Sequence, residues 1–346
     1  MTTTPSQLNV KANAKVSSMT RRRTIGKYFF AMALSAGLLF SGLATAATYP
    51  ERFITLLVPV PPGGAGDFIG RLLATKLSEI LGEKIVIENR GGAAGTIAAT
   101  AGSRADADGY TLLLSSSTTH GTAPVVFKQI PYDPVNGFTH IGMLGTVPAV
   151  LVVNADLPVK SAQELVAYAK QKAGQLNYAS SGIGSPLHLW GEMFMASAKI
   201  QLTHIPYKGA GPAVLDLLGG RVHLMLDGLP AQISGIEAGK VRPLAALNEK
   251  RLERLPDVPT MAEVGYPTVV GGLWFGLSGP RNLPPNVVAA LDSALKKVAA
   301  MPDVKEKMNG AGILVTPLLG SDYRDFIRQE NEKYGKIARD ANISVD

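Results

Sequence analysis

Two glycine-rich turns, each set between a strand-like run and a helix start, constrain this chain more than any other feature. The first is Pro59-Val60-Pro61-Pro62-Gly63-Gly64-Ala65-Gly66-Asp67. The second is Ser180-Ser181-Gly182-Ile183-Gly184-Ser185. Both sit inside a regular alternation. Phe53 to Val58 is a short apolar run, and Phe68, Ile69, Leu72, Leu73, Leu77, Ile80 and Leu81 form one stripe of a helix over 67–81 that Gly82 stops. Lys84 to Glu88, Tyr110 to Leu114, Ala149 to Val153 and Leu176 to Ala179 read as strands, with later ones near 203–205, 222–226 and 243–247. Ser161-Ala162-Gln163-Glu164 is a capping box, and Ser185-Pro186 is an N-cap with proline at the first helical position. Pro285 to Ala300 and Asp322 to Ala341 are the last long helices. Such alternation predicts an α/β fold with parallel-rich sheets. At 346 residues the chain suits two domains rather than one core.

Charge is uneven along the sequence. The net +7 rests on Lys11, Lys15, Arg21, Arg22, Arg23 and Lys27, since without these six, 28 basic side chains face 27 acidic ones. The basic excess therefore belongs to the leader, and no nucleic-acid partner is expected. Arg21-Arg22-Arg23, sixteen uncharged residues from Tyr28 to Leu43, and Ala44-Thr45-Ala46 follow the order of a cleaved signal peptide. We assign 1–46 to it, with export by the Sec or the twin-arginine route and a periplasmic mature protein. The apolar stretch is short for a spanning helix. The chain has no cysteine, which removes disulfides, thiolate metal sites and cysteine nucleophiles.

A glycine-rich strand-to-helix turn presents backbone N–H groups at the positive end of a helix, ready for a phosphate or carboxylate. Gly64-x-Gly66-x-x-x-Gly70 misses the dinucleotide fingerprint by one position, with Glu88 near where a ribose-binding acid would sit. Two such turns, one in each half, suit a ligand gripped between two lobes.

The ordered motifs then resemble the Bug-type periplasmic receptors of tripartite tricarboxylate transporters. The matching pieces are Pro59 to Gly64 with Asp67 and Arg71, Glu88 to Ala93, Asp108 to Leu113, and Tyr132-Asp133-Pro134. Ser180 to Ser185 with His188 and Glu192, Ile205 to Gly209, and Leu255 to Thr260 with Glu263 and Gly265 complete them. The resemblance implies a type II periplasmic binding protein fold, the Venus flytrap: two doubly wound α/β lobes joined by two crossover strands. Lobe one is placed at 48–148 plus 272–346 and lobe two at 149–271. It also implies a small carboxylate ligand, delivery to a membrane permease with large and small subunits, and no catalysis. No cofactor or metal is expected, and the receptor is expected to be a monomer.

The expected ligand-binding residues in lobe one are Val60, Pro62, Gly63, Gly64, Ala65, Gly66 and Asp67, with Ser115, Ser116, Thr118 and His120 after the third strand. In lobe two they are Ser180, Ser181, Gly184, Ser185, His188, Tyr207 and Asp227. Asp67 is read chiefly as a support for its loop. His188 is read as a ligand contact through water or as a packed histidine. Asp227 is read as a ligand partner or as a partner of a neighbouring loop. Val60 departs from the family, where an aromatic residue is usual, so the pocket is expected to differ in shape. Trp190 and Trp274 are read as core or hinge packing. Two rival readings stand beside this one. An exported NAD(P)-dependent oxidoreductase would account for the Gly64 loop, Glu88 and the twin arginines, but not for the second loop or Pro61 and Pro62. A sensor for a membrane signalling partner would use the same binding chemistry. The five histidines show no metal spacing, and Gly276-Leu277-Ser278-Gly279-Pro280 breaks a nucleophile elbow at its last glycine.

Overall fold

The computed structural model describes residues 1–2 and 49–345. Residues 3–46 of the assigned signal peptide lie outside the described residues. Tyr49–Asp346 forms one compact unit. The first strand, β1 (Ile54–Val58), is buried at Ile54, Leu56, Leu57 and Val58. It feeds the first glycine turn and then α1 (Ala65–Leu81). The buried stripe of α1 is Ile69, Leu72, Leu73 and Leu77, and Gly82 ends the helix in the left-handed conformation at φ 80°, its N–H on Ser78 O. Phe68, expected on that stripe, is exposed instead.

Next come β2 (Ile85–Asn89), α2 (Thr96–Ser103), β3 (Thr111–Ser116), a π-helical turn over Ser117–Thr122, and α3 (Ala123–Val126). The longest strand, β4 (Phe138–Asn154), follows. After it come α4 (Ala162–Gln171), β5 (Asn177–Ser180), α5 (Pro186–Ala198), β6 (Thr203–Pro206), α6 (Ala210–Leu218), β7 (Leu224–Gly228), α7 (Leu229–Glu237) and β8 (Val241–Ala246). The chain ends with β9 (Gly272–Pro280), α8 (Pro285–Ala300), α9 (Pro302–Gly310), β10 (Leu314–Leu319) and α10 (Gly320–Asp340).

The strands run in the order β2-β1-β3-β9-β4-β7-β5-β6, with β8 and β10 also paired to β4. The outer strands are parallel, β1 with β2 and β3, and β5 with β6 and β7. Their neighbours around β4 are antiparallel. Parallel pairing thus holds where helices cross over, and the expectation of parallel-rich sheets applies to the outer thirds only.

β4 is the element both halves share. Phe138 to Pro148 pairs with β9, whereas Ala149 to Val153 pairs with β7 and Val150 to Asn154 with β8. Sequence reading finds only the second part of this strand, 149–153. Gly142, Gly145 and Pro148 interrupt the first part. The glycines are there because β10 crosses closely: a Cβ on Gly145 would stand 2.4 Å from Leu314 O, and one on Gly142 2.7 Å from Leu319 Cδ2.

Two large apolar clusters follow this division. One gathers Ile54, Leu56, Ile69, Leu73, Leu112, Leu144, Leu277, Leu291 and Val304. The other gathers Val150, Leu165, Tyr178, Trp190, Phe194, Leu217, Leu226 and Leu244. α10 reaches both regions: Tyr323 and Ile327 pack with Trp274 and Met143, and Tyr334 and Ala338 pack into the second cluster. Trp190 donates to Tyr334 Oη at 3.0 Å and Trp274 to Glu330 Oε2 at 3.1 Å, so both tryptophans are buried and partnered. Among the described residues, no helix is long and apolar enough to cross a membrane.

Candidate ligand-binding site

The first turn gets its shape from a carboxylate behind it. Asp67 is 5% exposed. Its Oδ2 accepts from Gly63 N at 3.1 Å and Arg71 Nε at 2.9 Å, and its Oδ1 from Asn89 Nδ2 at 3.0 Å. The same Asn89 amide donates to Val60 O at 2.9 Å, so one side chain pins both ends of the turn. Arg71, then Asn89 and Gly63, hold the Asp67 carboxyl below its ordinary pKa against the effect of its burial. Asp67 is therefore spent on loop geometry.

Gly63 has φ +103° and Gly64 is extended, and the space a Cβ would enter is open at both. Bare main chain thus faces outward where an anion could approach it. Pro62 is exposed beside them and Ala65 is half-buried. Gly66 is covered: a Cβ there would stand 2.9 Å from Phe275 Cε1 and 3.0 Å from Val60 Cγ2. Phe275, on β9, brings an aromatic ring beside Val60. Sequence reading missed it because its partner lies more than 200 positions away.

The second turn is mounted on rings. Ser180, fully buried at the end of β5, meets His204 Nε2 at 2.7 Å, accepts from Gly182 N at 3.1 Å and donates to Gly182 O at 3.1 Å. Gly184 N donates to His188 Nδ1 at 3.1 Å. Ser185 caps α5 by accepting from His188 N at 3.3 Å. Ser181 is half-buried and accepts through its carbonyl from Gly209 N at 3.1 Å.

Both turns adjoin the segment after β3. A Cβ on Gly95 would stand 2.7 Å from Thr119 Cγ2 and 2.9 Å from Pro59 Cβ. One on Gly184 would stand 2.5 Å from Val126 Cγ1. Thr119 thus lies near the start of the first loop, and Val126 lies against the second.

Several expected contacts sit elsewhere. Ser115 is fully buried, its hydroxyl 2.8 Å from Ser278 Oγ and 2.9 Å from Tyr323 Oη. It points into the body because period-2 alternation turns it away from the strand end. Ser116 forms a capping box with Thr119 and is also buried. Thr118 alone of this group is half-buried. His120 is fully buried among Tyr132, Phe138 and His140, with Nδ1 2.9 Å from Thr119 Oγ1. Burial, then the neighbouring His140, holds its pKa well below the ordinary value. The π-helical turn that redirects it leaves no sequence signal.

Tyr207 donates its hydroxyl to Asp216 Oδ2 at 2.6 Å. Asp227 is 2% exposed and accepts from Gly228 N at 2.7 Å and Gln232 Nε2 at 2.8 Å. Burial pushes its pKa up to about 6. Its partners are those of a neighbouring loop. Among the described residues no group of three His, Cys, Asp or Glu side chains could hold a metal ion. Cavities of about 860, 440 and 890 Å³ open on other faces of the molecule and include none of the glycines of either turn.

Known proteins share this architecture. The family model described as "Tripartite tricarboxylate transporter family receptor" matches residues 69–343. Protein BugT of Bordetella pertussis is 37% identical over 308 residues, covering 87% of this chain and 93% of BugT. Among solved structures, R. palustris Rpa4515 with adipate is 36% identical with a TM-score of 0.79, covering 86% of this chain and 99% of that one. MatC (Rpa3494) from Rhodopseudomonas palustris with bound malate is 31% identical with a TM-score of 0.74, covering 84% and 99%. These relatives share the two-lobed α/β fold of periplasmic binding proteins, and the family is one of receptors rather than enzymes. The chain thus belongs to the tripartite tricarboxylate transporter receptor family.

Proposed function

We propose that this protein is a periplasmic receptor that captures a small carboxylate between its two lobes and hands it to a tripartite tricarboxylate-type permease with large and small subunits. One observation carries the reading: the pinned first turn presents Gly63 and Gly64 as open main chain at the start of a 17-residue helix. The adipate and malate in the two solved relatives support the ligand class.

The lobes divide at β4 and β9. Lobe one is 48–148 plus 272–346 and lobe two is 149–271. The change of strand partners at Pro148 and the two apolar clusters support these limits, with the end of α10 resting on the second cluster. Amide donors from Gly64 and Ala65 face one end of the ligand, and the Ser181 hydroxyl with the Ile183 N–H the other. Closure follows from contacts made on both sides at once. The leader delivers the protein to the periplasm as a monomer.

A thermal-shift screen of the mature protein against mono-, di- and tricarboxylates tests the reading. A binder at a hundred times its Kd adds about 2.7 kcal/mol to stability by mass action. Gly64→Leu abolishes that shift while leaving the unliganded midpoint in place, because the new side chain fills the anion's approach and its Cβ meets no protein atom within 4 Å. No response to any acid, together with nicotinamide turnover, would replace this function by the oxidoreductase. Deleting the permease genes and measuring uptake of the identified acid tests delivery.

A further inference from the structure

The second turn rests on an arrangement that ligand capture alone does not require. His188, at the third position of α5, and His204, on β6, stack face to face with ring centroids 3.9 Å apart and an interplanar angle of 7°. Tyr178 stacks with His204 at 4.8 Å and with His188 at 6.4 Å. Each imidazole holds one end of the glycine loop: His204 Nε2 meets Ser180 Oγ, and His188 Nδ1 accepts the Gly184 N–H. That last bond fixes the tautomer. An Nδ1 that accepts has no proton, so neutral His188 carries its proton on Nε2, which lies 3.6 Å from Glu192 Oε1. Glu192 is itself positioned by the Tyr178 hydroxyl at 2.8 Å.

We infer that the stacked pair His188 and His204 is the mount of the second loop, and that the loop keeps its shape only while His188 is neutral. A proton on Nδ1 would turn that acceptor into a donor aimed at the Gly184 N–H. The loop end would then lose its anchor, and Gly184, at φ +75° against Val126, would be free to move. His188 and His204 are positioning residues here. The assignment of the loop to ligand capture rests on the function proposed above; the mount itself does not.

The charged groups around the pair set the pH range. Glu192, on the same helix as His188, favours a proton on His204. Burial opposes it, and so does the stacking, because two cations cannot share a 3.9 Å stack. Burial first, then His188, lowers His204 to about 4. Lys333, Lys336 and Asp340 of α10 line the cavity that Glu192 also lines. The His204 end of the loop is therefore held above pH 6.5 and loosens as pH falls toward about 4.

Amide hydrogen exchange on the ligand-free, isotope-labelled mature protein tests this. The Gly184 amide is the reporter, and the Gly63 amide, bonded to Asp67, is the internal reference. His188→Ala should speed Gly184 exchange about tenfold, the loss of one buried hydrogen bond, with Gly63 unchanged. His188→Asn, whose side-chain oxygen can stand where Nδ1 stands and does not titrate, should restore protection. Between pH 7 and pH 4, after correction for intrinsic rates, wild-type Gly184 should lose protection and His188→Asn should keep it. Unchanged Gly184 exchange in His188→Ala would overturn the mount. Identical pH profiles for wild type and His188→Asn would overturn the protonation step, and this arm decides even where His188→Ala fails to fold. Failure of the receptor function would show separately, as no thermal shift with these exchange patterns intact.

Discussion

The two glycine loops are alike in backbone and unlike in what holds them. The first is tied to an ionised carboxylate, Asp67, with Asn89 and Arg71 sharing its oxygens. The second is tied to imidazole rings, His188 and His204. One local shape, an exposed run of amides at a helix start, can thus be fixed by charge or by aromatic packing. The choice decides how each responds to acid. The Asp67 carboxyl is lowered, chiefly by Arg71, so its contribution is complete above the ordinary carboxylate pKa of 3.8 and is lost as pH falls through its lowered folded value. His204 is lowered to about 4 from 6.5, chiefly by burial, so its contribution is complete above 6.5 and declines as pH falls from 6.5 to about 4. Acid should therefore loosen the second loop before the first.

Four measurements break or sharpen this contrast. The largest effect is expected from Gly184→Leu. It combines a left-handed backbone with a Cβ 2.5 Å from Val126 Cγ1, and should cost about 3 kcal/mol in urea unfolding. A cost near zero would mean that the second loop does not press on 123–126. Asp67→Ala should follow at about 2–3 kcal/mol, since it strands the Gly63 N–H and one Asn89 hydrogen. Asn89→Ala should cost about 1–2 kcal/mol through two lost hydrogen bonds of a partly buried amide. Arg71→Ala should give the smallest shift, because the guanidinium is 56% exposed and solvent screens the pair. An Arg71→Ala effect equal to that of Asp67→Ala would show that the ion pair, rather than the amide contacts, shapes the first loop.

Much of the fold could be read from local pattern. The helix over 285–300 was expected at those residues and occurs there, and Ser161 and Ser185 cap helices as their sequences predict. Both glycine loops were located by the same means. What escaped was non-local. β9 and β10 read poorly because glycines or a proline break their apolar pattern, and they become strands through pairing with β4. The first part of β4 escaped for the related reason that its glycines make room for β10. Among site residues, Asn89 and Phe275 were not singled out, although both shape the first loop. Ser115, which follows a strand, and His120 read as pocket candidates, yet the structure turns them inward.

Sequence alone determined the alternation of strands and helices, the two amide-rich turns and, through ordered motifs, the family. These depend on near neighbours: hydrophobic period, a cap, a glycine where φ must be positive. Only the tertiary structure decided which side chains stand behind each turn, for Asp67 meets Asn89 across 22 positions and Ser180 meets His204 across 24. Bonds between such distant residues follow from strand order and register, and a linear pattern of residue types carries no direct record of either.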